Sequence, residues 1–327
     1  MIVYPDALKQ RSTVHVRSTV MSRRLLAGVA AAIALFTMGC QRDGGVSAAP
    51  SAAPAASSLA AVPADARIVS VGGSVTEIVY ALGFGPRVVA VDTSSVFPAA
   101  ATALPQVGYQ RTLAAEGVAS QRPTILLLTE EAGPPPVVAQ LRGLGIPVHM
   151  IPASSTVEGA KEKIRLIAAA LGEKAKGEEL TRTLTAELAS AEALVQRAKS
   201  KPKVLFIYAR GGGTMMVSGT GTPAAAMITL AAGENAVTTF DNFKPLTAEA
   251  VTTAAPDVIL LPKRGLDSLG GIDGLLAQPG VALTPAGKAK RIVAMDDQLL
   301  LGFGPRLGSA VRELAVQLHP ELAQASP

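Results

Sequence analysis

The chain has 327 residues, 49% hydrophobic and 17% charged, which is enough apolar material to bury a core in each of two ordinary domains. Its formal net charge of +5 comes from one end: Lys9, Arg11, Arg17, Arg23 and Arg24, against Asp6 alone, lie in residues 1–39. The remainder is nearly neutral, which excludes a nucleic-acid binder that relies on a basic face to neutralise phosphates.

In chain order, the first feature is "MSRRLLAGVAAAIALFTMGC" from Met21: two Arg, an apolar run, small residues and a Cys. It reads as an export signal, too short for a comfortable membrane span. The residues before Met21 read as an unused upstream start, so residues 1–39 form a leader. Cys40 is the only Cys, so no intrachain disulfide forms. Its place after Gly39 resembles a bacterial lipoprotein acceptor site, with Thr37 where such sites favour Leu. A soluble periplasmic protein cleaved nearby is the other reading. Residues 40–66 form a Pro/Ala/Ser tether with no means of building a core.

From Arg67 short apolar runs alternate with helical patterns, which implies βα units and a largely parallel sheet. "RIVSVG" is a strand, and "SVTEIVYALG" is a helix with Ser74 and Glu77 as its capping box. "RVVAVD", "TILLLTE" and "PVHMIP" are further strands of an N-terminal α/β lobe over 67–172. "LAAEGVASQRPTILLL" (113–128) and "LTAEAVTTAAPDVILL" (246–261) match at Leu, Ala, Glu, Val, Pro and the closing Leu-Leu, at identical offsets. This internal repeat predicts a second lobe of the same architecture over 202–327. Between the lobes, Leu180, Leu184, Leu188, Ala191 and Val195 recur at three and four in a Pro-free stretch. That is one amphipathic helix, 173–201, long enough at about 1.5 Å per residue to cross between lobes. The predicted fold is therefore α/β: two Rossmann-like lobes joined by one long α-helix, with a largely preformed ligand cleft between them.

Several chemistries fail on their residues. "VGGSVTE" has Ser74 and Glu77 where a dinucleotide loop beginning at Gly72 needs Gly, and "GTMMVSGTGT" lacks the Lys of a phosphate loop. His15 lies in the leader, His149 in an apolar strand and His319 at the end of the last helix, so no zinc-type cluster forms. No Ser/His/Asp or Cys/His set is visible, so the chain is not read as an enzyme; a lipid-anchored hydrolase is the rival of another class.

"LPQVGYQRTLAAEG", "EEAGPPPVVAQLR" and "MDDQLLLGFGPR" remain. Over residues 67 to 319 the chain resembles the substrate-binding proteins of bacterial metal-chelate ABC importers, and these motifs resemble the branch that carries haem. The resemblance implies a periplasmic protein that captures hemin and delivers it to an ABC permease dimer, with Tyr109 as the axial ligand of haem iron. It also implies that Glu116 and Glu249, the acids shared by the two repeats, dock onto permease Arg residues. A siderophore or corrinoid binder of the same fold is the alternative.

Taken alone, the residues suit that chemistry. A phenolate is a hard donor for ferric iron, and Arg111 could favour the charged form. In an extended segment residues i and i+2 point the same way, which would bring Tyr109 and Arg111 together. Gly108 would let a flat macrocycle approach. The plain alternative is a half-buried surface Tyr beside a solvated Arg. In "YARGGGTMMVSGTG", Arg210 could pair with a propionate, and it stands where the family often has His. Tyr208 is an alternative ligand or a packed strand end; Met215 and Met216 read as strand residues. Glu130, Glu131, Asp296 and Asp297 read as rim or loop acids.

Overall fold

The structure, a computed structural model, describes residues 62–63, 65–209 and 215–325. The leader, Cys40, most of the tether and Arg210 lie outside these residues. The N-terminal lobe comprises β1 (Ile68–Val71), α1 (Gly73–Ala81), β2 (Val88–Val91), α2 (Ala99–Thr102), α3 (Ala115–Ala119), β3 (Ile125–Thr129), α4 (Pro135–Gly143), β4 (Val148–Ile151) and α5 (Val157–Ala170). Its four strands form a wholly parallel sheet in the order β2-β1-β3-β4. One helix, α6 (Lys174–Val195), follows, and its 22 residues make a rod of about 33 Å.

The C-terminal lobe contains β5 (Lys203–Tyr208), β6 (Met216–Ser218), α7 (Pro223–Leu230), β7 (Glu234–Asn235), β8 (Phe243–Pro245), α8 (Ala248–Ala254) and β9 (Val258–Pro262). It continues through α9 (Lys263–Ser268), α10 (Gly271–Leu276), α11 (Pro285–Lys288), β10 (Ile292–Met295), α12 (Asp297–Leu301) and α13 (Leu307–Leu318). Its sheet runs β10-β9-β5-β6-β8, with β7 also against β5. β10, β9 and β5 are parallel, whereas β6 and β8 pair antiparallel.

Alternation explains how each sheet is covered on both faces. Ile125 and Leu127 of β3 point to one side and Leu126 and Leu128 to the other, all four buried. In β9, Val258 and Leu260 alternate with Ile259 and Leu261 in the same way. The repeated sequence segments thus fold alike: α3 leads into β3 as α8 leads into β9. One core is continuous across the chain, from Ile68 and Ile164 through Leu184 and Ala191 of α6 to Phe206 and Leu314. Helix α6 therefore serves as a shared wall, packed on α5 and on α13. Gly308 permits the second packing: a Cβ there would stand 2.6 Å from Glu187 Cβ and 2.8 Å from its carbonyl carbon.

Thr156, Thr222 and Thr247 each accept a backbone N–H at the start of α5, α7 and α8. The capping box expected at Ser74 and Glu77 does not form. Helix α1 begins at Gly73, preceded by Gly72 at φ 106, and no side chain caps it. Glu77 turns instead toward the other lobe. Its buried carboxylate accepts from Arg306 Nε at 2.7 Å and Nη2 at 3.1 Å, and from Gln298 Nε2 at 2.9 Å. Gln298 also donates to the Gly73 carbonyl at 2.9 Å and accepts from Val96 N and Phe97 N at 3.1 Å. The Arg306 guanidinium lies 3.6 Å from the Phe97 ring centroid. The motif "MDDQLLLGFGPR" therefore joins the lobes: Gln298 and Arg306 bind α1 and the 94–97 turn. Its acids have local work, Asp296 capping α12 at Leu299 N and Asp297 pairing with Arg264 at 2.9 Å.

Candidate ligand-binding site

Tyr109 sits in a loop tied at several points to the ends of β2 and β3. Val107 N donates to Val91 O, Thr93 N to Gly108 O, and Gly133 N to Gln110 O, each at 2.9 Å. Gly108 has φ 96, a left-handed value that favours glycine, so the chain turns there before Tyr109. The expected extended segment ends at once: Tyr109 is extended, but Gln110–Thr112 is a single 3₁₀ turn. The pair forms regardless, because the long Arg111 side chain folds back and Nη1 donates to Tyr109 Oη at 3.0 Å.

The second arm of the guanidinium carries the residue that sequence reasoning passed over. Arg111 Nη2 donates to Glu131 Oε1 at 2.5 Å, and Gln110 Nε2 donates to the other oxygen, Oε2, at 3.1 Å. Partial burial would lower the proton affinity of Arg111, but Glu131 and Tyr109 outweigh it and hold the pKa above its ordinary value. Glu131 lies two residues beyond the end of β3, and the pair Glu130-Glu131 opening "EEAGPPP" was its only signal. Glu130 accepts from Ala153 N at 2.8 Å. Nearby, Lys163 of α5 is buried and donates to the carbonyls of Gly302 and Phe303 at 3.1 and 3.2 Å. Burial pushes its pKa down to about 8, against the pull of Glu131 and Glu130.

A cavity of about 840 Å³ opens between the lobes beyond Ala153. Ser155 and Thr156 line it from one lobe, and Thr220, Thr222 and Asn235 from the other. Tyr109 and Arg111 are not among its lining residues, so the candidate ligand group and this cavity do not form one pocket.

Tyr208 ends β5, and its ring packs at 6.3 Å from Phe243 with Met216 across the strand pair. Met215 is partly buried against the outer core of this lobe. His149 is half-buried, and burial lowers its pKa. His319 is buried with Nε2 3.2 Å from Ala231 O. Among the described residues no group of three His, Cys, Asp or Glu could hold a metal ion. Glu116 and Glu249 occupy the same place in the two repeats, the exposed first turn of α3 and of α8.

Two α/β lobes on one shared helix, with polar side chains gathered at strand ends beside an interlobe cavity, define a two-lobed ligand-binding protein. The chain belongs to the periplasmic binding protein family, whose sequence profile matches residues 68–299. It is similar to the apo form of the periplasmic heme-binding protein RhuT from Roseiflexus sp. RS-1, 44% identical with a TM-score of 0.77, over 79% of this chain and 99% of that one. It is also similar to the periplasmic heme-binding protein BhuT in complex with two hemes, 42% identical with a TM-score of 0.74, over the same shares. A vitamin B12-binding protein of Vibrio parahaemolyticus is 23% identical over 250 residues, 76% of this chain and 87% of the relative.

Proposed function

We propose that this chain is a periplasmic carrier, not a catalyst, that captures hemin between its lobes and hands it to the permease of an ABC importer. The observation that carries this reading is the Tyr109–Arg111 contact, an oxygen donor at a strand end with a guanidinium 3.0 Å away. Free phenol ionises near pH 10, so a phenol that is to bind ferric iron at neutral pH needs a stabilising partner. Arg111 is placed to be that partner. The likeness to two periplasmic heme-binding proteins points to the same ligand.

In this reading Tyr109 is the ligand of the ferric iron, and Arg111 accommodates the negative charge on its oxygen. Gly108 keeps a Cβ out of the space in front of the loop. Arg210 pairs with a propionate, Tyr208 lines the opposite wall, and the exposed Glu116 and Glu249 dock onto paired basic sites of a permease dimer. Cys40 is the point at which a lipid anchor would attach.

The test is a hemin titration followed in the visible region. The purified chain should give a high-spin ferric tyrosinate spectrum, and Tyr109→Ala should lose it. A spectrum unchanged by that substitution removes the ligand assignment. The relationship to a vitamin B12-binding protein supports a second reading, a corrinoid carrier. That reading predicts saturable binding of cyanocobalamin and none of hemin.

A further inference from the structure

Glu131 has no part in the function proposed so far, yet its geometry is that of a clamp. Both carboxylate oxygens are engaged, Oε1 by Arg111 at 2.5 Å and Oε2 by the Gln110 amide at 3.1 Å. Gln110 is fixed in turn, since its carbonyl accepts from Gly133 N at 2.9 Å. Its Oε1 stands 3.3 Å from Ser94 Oγ, which donates to the fully buried Asp92 at 2.6 Å. Asp92 also takes Gly72 N at 2.8 Å and Ser95 Oγ at 2.7 Å. Gln110 and Gly133 thus hold the Tyr109 loop in place, beside the Ser94–Asp92 contacts of the lobe interior, with Glu131 as the acid in contact with Arg111.

We infer that Glu131 is a positioning residue: it holds the Arg111 guanidinium on the Tyr109 oxygen and so sets how long the bound ligand stays. An Arg side chain has many rotamers to lose, and half of the Arg111 side chain surface is open to water. Unrestrained, it would spend much of its time away from Tyr109. Two acceptors at fixed separation, the phenol oxygen and the carboxylate, select the one rotamer that reaches both. The other charges nearby are already engaged, Glu130 by Ala153 N and Lys163 by the carbonyls of Gly302 and Phe303. Arg111 contacts both Tyr109 and Glu131, so the contribution of Glu131 passes through Arg111.

This inference rests on the hemin reading and deepens it, and a double-mutant cycle on the hemin-loaded chain tests it. Release is timed by transfer of hemin to excess apomyoglobin, and the phenolate-to-iron charge-transfer band is recorded. Arg111→Ala and Glu131→Ala should each speed release about tenfold, the loss of one charge-assisted hydrogen bond, and move the band in the same direction. The double variant should release no faster than Arg111→Ala alone. Glu131→Gln, which keeps an acceptor oxygen, should stay within about threefold of the parent chain. Melting temperatures should hardly change, because the pair is exposed. Release from Glu131→Ala at the parental rate would overturn the inference, as would an equal acceleration by Glu131→Ala in the Arg111→Ala background. Both results leave Tyr109 ligation standing, whereas a band that survives Tyr109→Ala removes the hemin reading itself.

Discussion

Lys163 shows at the scale of one residue how the site and the lobe junction meet. Its ammonium is buried beneath Glu130 and Glu131, and it donates to two carbonyls at the end of α12, where Phe303 is held at φ 48. A side chain that loses its proton near pH 8 when folded, against 10.5 when free, means that the unfolded chain binds more protons between those values. This group is therefore a cost that is constant below about pH 8 and is relieved as pH rises toward 10.5. The stability of the parent chain relative to Lys163→Met should grow by on the order of 2 kcal/mol from about pH 7 to about pH 10, measured by urea unfolding. A difference that stays flat would mean that the ammonium is better solvated than its burial implies. At the same scale, Tyr109 and Arg111 meet by a different geometry from the one their spacing suggested. A 3₁₀ turn intervenes, and the length of the Arg side chain, not strand alternation, closes the gap.

At the scale of elements, α6 connects the lobes by packing on both rather than by spanning between them. Leu184, Ala191 and Leu194 are buried along it, and its polar faces carry Glu and Lys to solvent, which is why its sequence is legible as a single amphipathic helix. The absence of a side chain at Gly308 lets α13 approach α6 closely. Gly308→Ala would drive a methyl group onto the Glu187 backbone, and backbone cannot rotate away as a side chain can. We expect a loss of about 1–3 kcal/mol in denaturant unfolding. Repacking that left the unfolding midpoint unchanged would show that the two helices slide freely.

Across the whole molecule the lobes are joined by more than a helix. Glu77 of one lobe meets Arg306 and Gln298 of the other, and the carboxylate is nearly excluded from water. Removing one partner of such a buried pair typically costs about 3–5 kcal/mol, because the other charge is left uncompensated. Glu77→Gln should therefore lower stability by several kcal/mol, with little relief from added salt, and broaden the distribution of interlobe distances measured between spin labels. An unchanged distribution would assign lobe geometry to α6 alone. The 94–97 turn, which Gln298 holds, begins at Ser94, the donor to Asp92, so the contacts beside the Tyr109 loop and those of the lobe junction share a segment of chain.

Sequence by itself determined the two α/β lobes, the repeat and the long helix. Each rests on local spacing: buried strands carry unbroken apolar runs such as "ILLL", and β3 and β9 begin at matching places in the two repeats. The residues proposed for the site, Tyr109 and Arg111, and for docking, Glu116 and Glu249, come from short motifs. Only the tertiary structure decided that Glu77 leaves the helix start to bind Arg306, that Gln298 holds the 94–97 turn, and that Glu131 grips Arg111. The physical reason is sequence distance. Their partners lie 229, 201 and 20 residues away, and a carboxylate looks the same in sequence whether it caps a helix, faces water or neutralises a guanidinium. Which of these it does is settled by whatever charge the fold brings to within 3 Å or so.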